Sequence, residues 1–253
     1  MSRDSIVSDA FRSGASFAAQ WKSSAPDTPS VAPAGSADNP LWQHFEKNTV
    51  GAGIWKWTHY FDPYHRHLAR MAGRPVVVVE IGIFSGGSLP MWKKYFGADS
   101  HVIGIDIEPA CRAYEAEGIS VVIGDQADRN FWRTFRESHP HVDVVIDDGG
   151  HTPEQQRVTL EEMLPHLRPG GIYICEDIHY TENEFAAFAA GLVGELNARI
   201  HIDKDVQKSR PSPFQRDIYA IHFYAYLLVI EKSLNPPTEL MGPRHGTEWQ
   251  PFL

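Results

Sequence analysis

Two cysteines in 253 residues, Cys111 and Cys175, cannot build a disulfide framework or a four-thiolate zinc site. A reducing, cytoplasmic compartment is the expectation that follows. Long apolar runs are missing too. The most apolar stretch without Asp, Glu, Lys or Arg is residues 218–230, which contains His222 and falls short of the roughly 20 residues a membrane helix needs. Residues 1–20 hold Arg3, Asp4, Asp9 and Arg12 and no apolar run of signal-peptide length, so neither export nor a membrane partner is expected. Excess positive charge is likewise absent, since 23 Lys and Arg against 32 Asp and Glu leave a net charge of −9 with histidine neutral. That sign opposes phosphate backbones and anionic lipid, which argues against nucleic acid as a partner.

What is present is the composition of an ordinary folded domain, with 42% hydrophobic and 22% charged residues. Residues 22–40 read KSSAPDTPSVAPAGSADNP, too poor in apolar side chains to offset the entropy of ordering. The expected organisation is therefore a flexible arm over residues 1–40, a domain over 41–235 with a helical N-terminal cap, and a tail over 236–253. In the cap, Trp57, Tyr60, Phe61, Tyr64 and Leu68 fall on one helical face, with Pro63 predicting a break and His59, His65 and His67 mostly off that face.

Beyond the cap, apolar β-branched runs at 76–81, 101–105, 119–123, 142–146 and 172–175 alternate with helix-compatible stretches at 88–95, 109–117, 130–138 and 153–167. Runs of this kind suit strands buried on both faces, and their alternation with helices predicts a doubly wound, Rossmann-like α/β sheet. A further helix near 182–197 precedes two runs, 217–223 and 227–232, that predict an antiparallel hairpin at the sheet edge. Residues 204–216 between them read as an exposed loop.

In open α/β sheets the ligand lies beyond the carboxyl ends of the strands. The first strand ends in Glu80-Ile-Gly82-Ile-Phe84-Ser85-Gly86-Gly87-Ser88, and Phe84 breaks the G-x-G-x-x-G pattern of a dinucleotide site. An acidic residue two before the first glycine, with further glycines four and five after it, resembles motif I of class I S-adenosylmethionine (SAM) methyltransferases. Asp106 closes the second strand, where a carboxylate can accept both ribose hydroxyls, and Asp125 and Gln126 follow the third, where such families hold the adenine. The resemblance implies a SAM-binding set of Glu80, Gly82, Ser85, Gly86, Gly87, Asp106, Asp125, Gln126 and Asp147, with Glu80 reaching the amino-acid portion of the cofactor.

The fourth strand ends in Asp147-Asp148-Gly149-Gly150-His151 and the fifth in Glu176-Asp177-Ile178-His179. If those strands are neighbours, Asp148, Glu176 and Asp177 bring three carboxylates and no thiolate to one cleft, a set suited to Mg²⁺. IDDGGH, then PHLRPGG, then ED is similar to the Mg²⁺-dependent sugar O-methyltransferases of macrolide biosynthesis, the mycinamicin and macrocin type, and to the cephalosporin hydroxylase-like methyltransferases. The similarity runs over about residues 42–232. Gly150 stands where IDDGSH is common, and a short N-terminal region replaces the large auxiliary domain of some members.

By that resemblance Asp148, Glu176 and Asp177 are metal ligands and His151 is the general base, with His179 a second candidate. The implied reaction moves a methyl group from SAM to one hydroxyl of a vicinal diol on a sugar or small-molecule glycoside, and a homo-oligomer is expected. A catechol-type O-methyltransferase and a non-catalytic SAM-fold interaction module are the competing expectations. Asn235-Pro236-Pro237 lacks the following aromatic of amino-methylating enzymes and lies after the last strand, away from the end of the fourth.

Overall fold

The structure, a computed structural model, describes residues 3–22, 36–179, 183–198, 202–203 and 208–247. It divides into two units, Met1–Ala32 and Pro33–Leu253. The first contains helix α1 (Arg3–Ala19), so regular structure occurs where the sequence predicts a flexible arm. The segment is free of proline and rich in alanine and serine, which permits a helix although it lacks a strong apolar stripe.

Among the described residues the second unit opens with a short 3₁₀ turn, Ser36–Asp38, ahead of α2 (Pro40–Lys47). Asn39 caps α2 by accepting the Leu41 and Trp42 N–H groups, and its amide donates to the Phe61 carbonyl at 2.7 Å. A 3₁₀ turn, Thr58–Tyr60, leads into α3 (Phe61–Leu68). Pro63 does not break α3, because it is the third helical residue and its missing N–H is one that no preceding turn would have used. Tyr60, Phe61, Tyr64 and Leu68 are fully buried as their spacing predicts, whereas Trp57 is exposed and His67 is buried.

The alternating region gives β1 (Val77–Ile81), α4 (Ser88–Phe96), β2 (His101–Asp106), β3 (Ile119–Ile123), α5 (Arg129–Ser138), β4 (Val144–Asp147), α6 (Pro153–Met163), β5 (Ile172–Cys175) and α7 (Glu184–Leu196). The stretch expected as a helix at 109–117 is a 3₁₀ segment, Pro109–Tyr114, cut short because Glu115 turns extended and Gly118, at φ +70°, returns the chain to β3. Helix α6 begins with a capping box between Thr152 and Gln155 and ends four residues before Leu167. Then come β6 (Ile202–Asp203), β7 (Lys208–Ser209), α8 (Pro213–Asp217), β8 (Ile218–Tyr224), β9 (Leu227–Lys232) and β10 (Leu240–Met241). The predicted loop 204–216 thus contains β7 and all but the last residue of α8, while residues 204–207 lie outside the described residues.

The main sheet has seven strands in the order β3-β2-β1-β4-β5-β9-β8. Its first five strands are parallel, and β9 and β8 close it as the expected antiparallel edge hairpin. The strands β10, β7 and β6 form a small second sheet. Side chains alternate between faces: Val78, Val102, Val144 and Ile174 pack with α2, α3 and α4, while Val79, Ile103, Val145 and Cys175 pack with α5, α6 and α7. The strand order reverses between β1 and β4, which places a crevice at their carboxyl ends. Among the described residues no helix is long and apolar enough to cross a membrane.

Candidate active site

A cleft of about 1000 Å³ opens at those carboxyl ends, lined by Gly82, Ser85, Asp106, Asp125, Gln126, Asp148, His151, Glu176, Asp177 and His179 among others. Its shape depends on Gly82. At φ +79° this residue turns the end of β1 so tightly against the end of β4 that a Cβ would lie 2.0 Å from the Asp148 carbonyl.

One half of the cleft is formed by the ends of β1, β2 and β3. Asp106 accepts the Phe84 N–H at 3.2 Å and the Glu108 N–H at 3.0 Å, which fixes its carboxylate at the cleft wall. Asp125 is exposed there and accepts the Ala127 N–H at 2.8 Å. Gln126 is buried: its amide donates to Asp147 at 2.9 Å and to Thr159 at 3.1 Å, and its oxygen accepts the Gly150 N–H at 2.7 Å. It therefore braces the β4 loop against the β3 loop while its edge borders the cleft.

Four expected cofactor contacts do not line the cleft. Glu80 is fully buried behind the glycine turn, where it accepts the Ser88 hydroxyl at 2.6 Å and the Trp92 indole N–H at 3.0 Å and so pins α4 to β1. Asp147 points to the opposite face of the sheet, toward Gln126 and the Tyr173 hydroxyl, and burial pushes its carboxyl up to about 7. Gly86 packs under the Tyr114 ring of the segment after β2, and the Gly87 N–H donates to the Gly53 carbonyl at 3.1 Å, so the first glycine accommodates that segment and the second the cap.

The other half is formed by the ends of β4 and β5 with the cap segment before α3. Lys56 sits among the carboxylates, its Nζ 2.7 Å from Asp148 Oδ2, 2.9 Å from Glu176 Oε1 and 3.3 Å from Glu80 Oε1. Burial alone would lower its pKa, yet Asp148, Glu176 and Glu80 together hold it well above the usual lysine value. Burial raises the Asp148 and Glu176 carboxyls, and their mutual repulsion adds to the rise at Glu176. Asp177 Oδ1 accepts the Trp57 indole N–H and the Tyr60 hydroxyl, each at 2.8 Å.

Each of these two aspartates thus commits one oxygen to the protein and turns the other toward His151. His151 Nε2 lies 3.8 Å from Asp148 Oδ1 and 3.6 Å from Asp177 Oδ2. These three atoms fall within 4.8 Å of one another, which leaves the two carboxylate oxygens open to a cation with the imidazole beside it. His151 and Asp177 have left-handed backbones, φ +58° and +54°, rarely adopted by non-glycine residues and characteristic of functional loops. His151 Nδ1 is buried with no hydrogen-bond partner among the described residues, a polar atom left for something else to satisfy. His179 lines the same cleft, its ring centroid 6.4 Å from that of His151.

The expected trio Asp148, Glu176 and Asp177 does converge, but Glu176 faces Lys56, and His151 takes the third position around the gap. Sequence reasoning did not assign Lys56, Trp57 and Tyr60 as partners of the carboxylates. The one available signal was a lysine between two tryptophans in WKW, just before a helix whose face was otherwise aromatic.

Residues 79–178 match a family model described as a methyltransferase domain. Demethylmacrocin O-methyltransferase of Streptomyces fradiae is 33% identical over 208 residues, covering 74% of this chain and 52% of the relative. Mycinamicin VI 2''-O-methyltransferase of Micromonospora griseorubida is 31% identical over 198 residues, covering 70% of this chain and 49% of the relative. The chain spans about half the length of these curated relatives. In structure it is similar to the MycE methyltransferase from the mycinamycin biosynthetic pathway, solved in complex with Mg, SAH and mycinamycin VI. The TM-score is 0.63 at 24% identity, covering 77% of this chain and 53% of that one, a likeness of fold. In sequence the chain is similar to macrolide and tetracenomycin sugar O-methyltransferases over about half of their length, and its sheet has the class I methyltransferase fold.

Proposed function

We propose that this chain transfers a methyl group from SAM to one hydroxyl of a vicinal diol, on a sugar of a glycosylated natural product or polysaccharide, with Mg²⁺ bound at the acceptor side of the cleft. The observation that carries the proposal is the pairing of Asp148 Oδ1 and Asp177 Oδ2 across a gap bordered by His151, in the same cleft as the ribose-binding position Asp106. Oxygen donors dominate that gap, as a hard cation requires. Asp148 and Asp177 would hold the ion, with Glu176 kept beside them through Lys56. An ion held there would supply the positive charge that makes an acceptor hydroxyl more acidic.

The chain's own residues do the rest. Asp106 holds the donor through its ribose, while Trp57 and Tyr60 fix Asp177 so that its second oxygen stays aimed into the cleft. His151 takes the acceptor proton at Nε2, the nitrogen that faces both aspartates. Methyl transfer from a sulfonium needs alignment and proton removal more than covalent help, and this arrangement offers both.

The test is transfer of labelled methyl from SAM to a panel of sugar diols, with EDTA and then Mg²⁺ added back. His151→Ala should bind SAM and Mg²⁺ by calorimetry yet lose a factor of about 10²–10⁴ in rate. Turnover that survives both EDTA and His151→Ala would overturn the proposal.

A further inference from the structure

A second group of ligating side chains lies away from the cleft, where α3 meets the edge hairpin. Glu231 pairs in register with Ile172, the first residue of β5, so it stands at the opposite end of the sheet from the cleft. His67 Nδ1 lies 2.9 Å from Glu231 Oε1, and His222 Nε2 lies 3.1 Å from the same oxygen. The two imidazole rings are 4.5 Å apart between centroids. Two ligand atoms on a tetrahedral zinc, with bonds of about 2.0–2.1 Å, sit roughly 3.3 Å from each other. The two nitrogen-to-oxygen distances thus fall within about half an ångström of that spacing, and all three atoms lie within 4.8 Å of one another.

The surroundings match what a ligating histidine needs. His67 Nε2 is 2.8 Å from the Tyr224 hydroxyl, so the tautomer with its proton on Nε2 donates to Tyr224 and leaves Nδ1 as a lone pair. Such an outer partner is what fixes the ring of a metal-bound histidine. Arg70 lies 3.5 Å from Glu231 Oε2, which anchors that oxygen and leaves Oε1 between the two rings. His67 is buried, while His222 and Glu231 are partly exposed and leave an approach from solvent.

We propose that His67, His222 and Glu231 form a binding site for a divalent transition metal of the Zn²⁺ or Co²⁺ class, separate from the oxygen-rich gap in the cleft. Two imidazoles and one carboxylate suit a borderline metal and not Mg²⁺. The bound ion would tie the last turn of α3 to β8 and β9.

The experiment is a titration of the full chain with Co²⁺ alone, followed by its visible absorption and by calorimetry. Wild type should bind one equivalent at this site, with the bands of a nitrogen-ligated ion and apart from any taken up by the cleft, and Zn²⁺ should displace it. His222→Ala should weaken that equivalent by more than about 100-fold, beyond the loss expected for an outer-sphere partner. The double variant Asp148→Asn/Asp177→Asn should retain it, which separates this site from the cleft and its function. His222→Gln, which keeps a polar group toward Glu231, serves as the second variant should the alanine form fold poorly. Bands that persist in the His222 variants, that vanish in the double aspartate variant, or that are absent from wild type would overturn the proposal.

Discussion

Replacing Lys56 by methionine tests the electrostatic centre of the site. The ammonium contacts Asp148, Glu176 and Glu80 within 3.3 Å, and the lysine side chain is 2% exposed. Methionine keeps much of the volume and removes the charge. Glu80 would still accept Ser88 and Trp92, but Asp148 Oδ2 and Glu176 Oε1 would lose their donor. Removing one partner of a buried ion pair costs about 3–5 kcal/mol, because the other charge stays buried and uncompensated. For a domain of this size each kcal/mol moves Tm by roughly 2–4 °C, so a fall of about 6–20 °C is expected in EDTA. Mg²⁺ should recover part of that loss and bind more tightly to the variant, since it enters a carboxylate cluster freed of its competing cation. Urea and thermal unfolding with EDTA and with Mg²⁺ measure both effects. A loss in EDTA below about 1 kcal/mol, the scale of a surface pair, would refute the argument, as would a loss that Mg²⁺ leaves unchanged.

Two further outcomes follow from the donor side of the cleft. Asp106→Ala removes the acceptor for the Phe84 and Glu108 N–H groups as well as the carboxylate proposed to hold the ribose of SAM. SAM affinity by calorimetry should fall about 10–100-fold with an unchanged far-ultraviolet spectrum, and unaltered affinity would make Asp106 a bystander. Burial, with Asp106 nearby, pushes the Cys111 thiol up to about 11. At pH 8 its thiolate fraction would be about 200-fold below that of a free cysteine, so iodoacetamide should label it at well under the glutathione rate. The labelling rate should climb about tenfold per pH unit toward pH 11, where the thiol ionises, and bound SAM should slow it; fast labelling at pH 8 would contradict the burial described.

Much of the architecture was legible because the strands are β-branched runs and the turns are marked by glycine. The edge hairpin at residues 218–232 was equally plain in the residues. Less legible were segments whose conformation is set by what they meet. The 109–117 stretch has helical composition but is too short a bridge between β2 and β3 to complete an α-helix. Gln126, beside the expected adenine position, is drawn into the scaffold by Asp147, Thr159 and Gly150, partners 21 to 33 residues away. Lys56 is 92 and 120 residues from two of its carboxylates, and no local pattern registers such a separation.

Yet the need for a cation at that point follows from strand periodicity alone. Side chains of a strand alternate between faces, so Glu80 shares the face of Val78, Asp148 that of Ile146, and Glu176 that of Ile174. The strands β1, β4 and β5 are neighbours in register, with Ile81 opposite Asp147 and Asp147 opposite Cys175. Three carboxylates therefore arrive side by side on the one face that α3 and α4 cover, where like charges in a low dielectric must be neutralised. A buried lysine from the cap answers that requirement. Asp177 falls outside this rule: by alternation it would point to the α6 side, with Asp147. Its left-handed backbone, φ +54°, reverses that direction and returns its carboxylate to the cleft beside His151, itself at φ +58°. The strain held at these two non-glycine residues is what converts a structural ion cluster into a gap with two carboxylate oxygens and an imidazole on its border.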